Sequence, residues 1–276
     1  MAPVAPRPTA LIAAAVLALA GCGGDGEQAD EGTTGSTTTT PADQLELELV
    51  DCHQAGFPTD VDPAAAGERL LPGQELYLVD GRARFTLIAK DCSDIVVDGA
   101  SQGPGHVSTA WVRVTGPDEV RTFDDAPDVE VSATDYFVPV LFQTDNDGFA
   151  SAAEDFGVPI TRATMAMDPP GAQTRTGSAE DDDGDPPVDY RWTASGGSPL
   201  PTGTGVAHVL EGPDGVAGGT LIYDIECPVA GGVFGATTSI EFDPGSGLED
   251  LIGTGYQGVG PDPDLSCQLT ITRHVA

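Results

Sequence analysis

The chain has 276 residues, 44 acidic side chains against 11 basic ones, a formal net charge of −33 and one lysine, Lys90. That balance excludes nucleic acid and anionic lipid headgroups as docking partners, because both demand a basic face. The acidity reads as solubility and identifies no partner by itself.

At the N-terminus Arg7 is the only charged side chain ahead of an apolar run from Ala10 to Ala20. The run is too short to cross a hydrocarbon core and has the order of a secretory signal. Leu19-Ala20-Gly21-Cys22 follows and resembles the lipobox of bacterial lipoproteins. The resemblance implies removal of residues 1–21 and attachment of lipid, with palmitate-type acyl chains, to the Cys22 thiol. The expected location is the cell envelope, on the extracytoplasmic side of a membrane. The alternative is an ordinary secretory signal in which Cys22 plays no part. Residues 22–43 are mostly Gly, Asp, Glu, Ser and Thr with little to bury, so they are expected to form a disordered tether.

Residues 44–276 are read as one β domain. Gln44–Leu49 alternates strictly between polar and apolar, as a half-buried strand does. Asp62-Pro63 opens a short helix predicted to reach Leu71 before Pro72-Gly73. Strand-like runs follow at Leu76–Val79, Ala83–Lys90, His106–Val114 and Tyr136–Phe142. A helix is predicted over Asp147–Phe156, with Asp147 as its cap and Gly157 as its stop. Further strands are expected at Arg162–Met167, Val188–Thr193, Gly205–Leu210, Thr220–Cys227, Val233–Phe242 and Cys267–Arg273, with a third short helix at Gly247–Ile252. Between them, residues 169–187 contain Glu180-Asp181-Asp182-Asp183-Gly184-Asp185 and read as a solvated acidic loop. Many short strands separated by turn signals imply a mainly β, antiparallel sandwich or barrel.

Beyond Cys22 there are four cysteines, none in a CxxC spacing. In an oxidising compartment they are expected to form two disulfides in one of three connectivities, of which Cys52–Cys92 with Cys227–Cys267 is preferred because each bridges two strand-like segments in one half of the chain.

Asp135-Tyr136-Phe137-Val138-Pro139-Val140-Leu141-Phe142, the turn Asp145-Asn146-Asp147, a short Ala-rich helix and Glu154-Asp155-Phe156-Gly157-Val158-Pro159 together resemble the central segment of acetoacetate decarboxylase-like proteins. Upstream, Leu70-Leu71-Pro72 and the strand Ala83–Lys90 resemble that family's helix-Pro-strand opening. The resemblance spans Pro63 to Met167 and implies a conical, mostly antiparallel β barrel with a central pocket. It also implies a lysine pair directly after the turn proline, one forming a Schiff base and its neighbour lowering the amine's pKa. Here those positions are Ile160 and Thr161, neither able to form an imine. The family's Arg-Glu pair corresponds to Ala153-Glu154, and its pocket glutamate to the neighbourhood of Ser108. Ser108, Glu154, Ile160 and Thr161 are therefore the candidate pocket residues, and no catalytic residue is assigned. Lys90, beside Asp91, is read as a surface lysine in preference to a relocated Schiff-base amine, since buried lysines are rare.

Other constellations are weaker. His53, His106, His208 and His274 are scattered, which argues against zinc. No Gly-x-Ser-x-Gly elbow supports an esterase. Gln143, Asp145, Asp147, Gly148 and Glu154 follow the spacing of a calcium loop, but the first ligand lacks a carboxylate and a turn with a helix cap is the preferred reading. No metal and no cofactor is called for. The leading expectation is a lipid-anchored, non-catalytic barrel that binds a small organic ligand. The alternatives are an enzyme on the same scaffold acting on a small carbonyl or carboxylic acid, and a structural or protein-binding lipoprotein with a filled core.

Overall fold

The computed structural model describes residues 44–115, 121–122, 130–131, 136–169, 173–199, 205–213 and 220–274. The expected signal peptide, Cys22 and the tether lie outside the described residues.

In chain order the elements are β1 (Gln44–Val61), α1 (Pro63–Gly67), β2 (Leu78–Val79), β3 (Arg82–Val97), β4 (Ala100–Ser101), β5 (Gly105–Val114), β6 (Arg121–Thr122), β7 (Glu130–Val131) and β8 (Tyr136–Thr144). They continue with α2 (Asp147–Phe156), β9 (Thr161–Met167), β10 (Thr174–Asp181), β11 (Tyr190–Ser195), β12 (Ser198–Pro199), β13 (Gly205–Pro213), β14 (Thr220–Phe242), α3 (Glu249–Ile252) and β15 (Gly255–His274). The fold is mainly β with few helices. All the strands except the β6–β7 pair join one sheet, in the order β1-β15-β14-β11-β10-β9-β8-β5-β3-β2, and β1 also pairs with β3.

Several elements differ from the sequence expectation. The segments Thr220–Cys227 and Val233–Phe242 are one strand, whose register slips between Val229 and Gly231 and again between Val233 and Ala236. The slips fall at glycines, which interrupt the apolar alternation without ending the pairing. Part of the expected acidic loop is β10, paired to β9 and β11 with Ala179 and Arg175 buried. Its composition is polar, but its neighbours supply the ladder. Helix α1 stops at Gly67 rather than Leu71, and α3 begins at Glu249. The cap of α2 is Asn146 rather than Asp147: its side-chain oxygen accepts from the Phe149 amide at 2.9 Å. Gly157, at φ 90°, ends that helix in the left-handed conformation.

The sheet is not wholly antiparallel. After α2 the chain returns parallel to β8, pairing Gln143 with Thr161 and Thr144 with Arg162, as a helical crossover requires. A second short parallel contact joins β13 to β8.

Two large apolar clusters flank the long strands, and a small third one holds Val114, Tyr136 and Val138. Of the two large clusters, one gathers Phe57, Phe85, Leu87, Trp192 and Phe242; the other gathers Leu45, Leu47, Leu49, Ile95, Phe149, Ile160 and Leu221. Strand β1 contributes to both because of a bulge at Asp51, whose φ of 45° marks the slip between Leu49 and Cys52. One extra residue exchanges the faces, so Leu45, Leu47 and Leu49 share a side with Cys52 but not with Ala55 and Phe57. Strand β3 is buried on both faces over Leu87–Lys90.

Both expected disulfides form, with sulfur–sulfur distances of 2.07 Å for Cys52–Cys92 and 2.08 Å for Cys227–Cys267. Each ties directly adjacent antiparallel strands, β1 to β3 and β14 to β15.

Candidate ligand site

The β8–α2–β9 crossover sets Thr161 beside Gln143, and the antiparallel pairing of β5 with β8 sets Gln143 opposite Ser108. These three positions share one side of the sheet with the Trp192 cluster. Gln143 and Ser108 are both fully buried. Gln143 Nε2 donates to Asp181 Oδ2 and to the Val188 carbonyl, each at 3.0 Å. That pairing fixes the amide orientation, because a flipped oxygen would face two acceptors. Gln143 Oε1 is then buried and has no partner among the described residues. Next to it the Tyr190 hydroxyl donates to Ser108 Oγ at 2.5 Å, and burial pushes the Tyr190 phenol above its ordinary pKa.

Asp181 closes β10 and acts as a hub. Its Oδ2 accepts from Gln143 Nε2, from Thr161 Oγ1 at 3.4 Å and from the Val188 amide at 3.1 Å. Its Oδ1 accepts from the amides of Gly184 at 2.8 Å and Asp183 at 3.3 Å. A carboxylate offers about four lone-pair sites, so the protein itself occupies this one. Gly184 is required by the same arrangement: a Cβ there would lie 2.4 Å from Asp181 Oδ2.

Above this layer opens a cleft of about 770 Å³ lined by Thr161, Asp181, Phe142, Pro159, the cis Asp185-Pro186 turn and residues 245–250. Arg69 stands at its edge, donating to the Gly247 carbonyl at 3.0 Å and to Asp250 Oδ1 at 2.6 Å. Asp185, Glu249 and Asp250 add to Asp181 in the lining, so carboxylates outnumber the one guanidinium.

The four sequence-derived pocket residues part company. Thr161 lines the cleft and Ser108 lies in the buried polar layer beneath it. Ile160 is buried on the opposite side, in the cluster holding Phe149, Ala153 and Val158. Glu154 is exposed on α2 and forms a two-point ion pair with Arg162, whose Nη2 reaches Oε2 at 3.1 Å. Sequence reasoning missed Gln143, Asp181 and Tyr190 as members of this site. The Asp181-to-Gly184 spacing of a side-chain-capped turn was the available signal.

Lys90 corrects its sequence reading: it is buried, 5% exposed, with Nζ donating to Cys267 Sγ at 3.6 Å. The alternation of β3 implied a solvent face, but both faces are covered there. Asp91 instead faces His106 Nε2 at 3.6 Å.

The residues with calcium-loop spacing do not converge. Gln143 points into the core, Asp145 takes His106 Nδ1 at 2.5 Å, and Glu154 takes Arg162. Among the described residues no three His, Cys, Asp or Glu side chains are grouped to hold a metal.

No protein-family model and no curated protein matches this sequence. Solved structures do. Acetoacetate decarboxylase from Legionella pneumophila subsp. pneumophila str. Philadelphia 1 superposes with a TM-score of 0.53 at 14% identity, covering 83% of this chain and 87% of that one. An acetoacetate decarboxylase-like enzyme from Sphingomonas wittichii RW1 superposes with a TM-score of 0.50 at 12% identity, covering 89% and 98%. Likeness at these identities concerns architecture alone, and the described domain carries the fold of the acetoacetate decarboxylase-like proteins.

Proposed function

We propose that this chain is a lipid-anchored extracytoplasmic protein whose β domain binds a small, neutral or cationic organic molecule in the Thr161–Asp181 cleft and does not use imine chemistry. The observation that carries the reading is the cleft itself: a volume of ligand size lies over Thr161, next to the turn proline Pro159. There the family resemblance places an amine, and this chain has a hydroxyl donating to Asp181. The hydroxyl is spoken for and the carboxylate has no vacant lone pair with which to take a proton, which disfavours nucleophilic or general-base work at this point. The surplus of carboxylates in the lining opposes an anionic substrate such as a keto acid.

The barrel belongs to this reading too. Strand β1 pairs with β15 along one edge and with β3 along the other, which supports closure of the sheet. The anchor rests on the lipobox-like Leu19-Ala20-Gly21-Cys22.

Thermal-shift screening of small cationic, neutral and anionic compounds tests the ligand reading. Stabilisation by members of the first two groups, abolished by Thr161→Trp in the cleft, is the expected result. A panel with no hits, or hits unaffected by Thr161→Trp, removes it. Detergent phase partitioning of the natural chain against Cys22→Ser tests the anchor separately, and equal partitioning into the aqueous phase removes that half.

A further inference from the structure

Two disulfides alike in span and burial are distinguished by a cationic side chain that reaches a sulfur of one of them. Both join cysteines 40 residues apart on adjacent antiparallel strands, and all four cysteines are buried. Against Cys227–Cys267 lies the only lysine in the chain, with Lys90 Nζ 3.6 Å from Cys267 Sγ. Across the ladder Lys90 faces Gln54 on β1 and Val107 on β5, both uncharged. Asp91, next along β3, is engaged with His106. Among the described residues no carboxylate pairs with Lys90.

We propose that Lys90 makes Cys227–Cys267 the redox-sensitive disulfide of this protein, opening ahead of Cys52–Cys92 because its ammonium stabilises the Cys267 thiolate. In the step envisaged, the thiolate of an external dithiol attacks Cys227 Sγ. The Cys227–Cys267 bond breaks and Cys267 leaves with the electron pair, as a thiolate beside the Lys90 ammonium. The second thiol of the reductant then attacks the mixed disulfide, and its proton passes to the departing Cys227 sulfur. The reductant is oxidised to its own disulfide, and the protein gains two electrons and one proton, with Cys267 left as the thiolate.

A thiolate beside a lysine has a lowered pKa, and the better leaving sulfur departs faster. The equilibrium moves in the same direction. In the oxidised protein the buried ammonium has a weak sulfur acceptor as its hydrogen-bond partner among the described residues, whereas reduction supplies a full counter-charge. Burial lowers the Lys90 pKa to about 8, so the amine is still mostly charged at neutral pH. Opening loosens β14 from β15 beside the bulge between Val229 and Gly231, while the ladder continues on both sides.

The full-length chain at pH 7, equilibrated in dithiothreitol buffers of graded redox ratio, quenched, alkylated and mapped by mass spectrometry, tests this. Cys227–Cys267 is expected to reach half-reduction at about a tenfold lower ratio of reduced to oxidised dithiol than Cys52–Cys92, ~30 mV for a two-electron couple. Lys90→Met is expected to erase the gap and Lys90→Arg to retain it. Simultaneous opening, prior opening of Cys52–Cys92, or a gap that persists in Lys90→Met overturns the proposal. The order in the natural chain decides by itself if a variant fails to fold.

Discussion

The Asp181 hub makes Gly184→Ala an informative perturbation. An added Cβ would meet Asp181 Oδ2 at 2.4 Å, Cγ at 2.8 Å and Oδ1 at 2.9 Å. Contacts this short with a free side chain are relieved by a rotamer change, but this carboxylate holds five donors and cannot turn without releasing some of them. A hydrogen bond to a charged group contributes about 1.5–3 kcal/mol, so losing one or two costs about 2–4 kcal/mol. Asp181→Ala removes the hub and should cost a similar amount. The two changes should not add, because once the carboxylate is gone Gly184→Ala meets no obstacle and gains up to ~1 kcal/mol by restricting the unfolded chain. The double-mutant cycle, measured from urea midpoints at unchanged slope, should therefore show a coupling of about 2–5 kcal/mol. Additive costs within ~0.5 kcal/mol would refute the claim that Gly184 is required by Asp181.

Three further outcomes are expected. His106 is raised above its ordinary pKa by its hydrogen bond to Asp145 against the opposing effect of burial, helped by the charges of Asp145 and Asp91. Its contribution is fully present below the unfolded value of about 6.5 and is lost as pH rises through the higher folded value, so urea midpoints in that window should fall more in the natural chain than in His106→Gln. Lys90 behaves oppositely: burial takes its pKa from 10.5 down to about 8, so the folded state gains relative stability as pH rises from about 8 to 10.5. Lys90→Met should be more stable than the natural chain by roughly 3 kcal/mol at pH 7, with the difference vanishing by about pH 10.5; an unchanged or lowered midpoint at pH 7 contradicts the uncompensated burial of the amine. Asn146→Ala should cost more than the ~1 kcal/mol of an ordinary cap, because the same amide donates to the carbonyls of Gln102 and Pro104 at 3.2 and 3.3 Å; chemical denaturation against Asn146→Asp, which keeps the cap alone, separates the two roles.

Local chemistry accounts for what was legible in advance. The stop of helix α2 was carried by Gly157 and its cap was read one residue late, at Asp147 instead of Asn146, while the Asp62-Pro63 pair announced α1. The alternation in Leu45–Leu49 and the placing of the cysteines on strand-like segments anticipated strands and crosslinks that the structure contains. Such features depend on neighbours in the chain or on a few strong preferences, so a one-dimensional reading reaches them. The acidic stretch around Asp181 misled that reading because polar residues in a ladder depend on their partners, and Glu180 and Asp181 pair with Thr164 and Ala163 of β9.

What only the tertiary structure decided was which side each residue faces and what meets it there. A single bulge at Asp51 exchanged the faces of β1, and cover on both sides of β3 turned an expected surface lysine into a buried amine beside a disulfide. The parallel return after α2 separated Ile160 from Thr161, sending one into an apolar cluster and the other to the cleft. Sequence period alone sets alternation, whereas register, bulges and crossovers set its phase; Gln143, Asp181 and Tyr190 therefore joined the site only when the strands were in place.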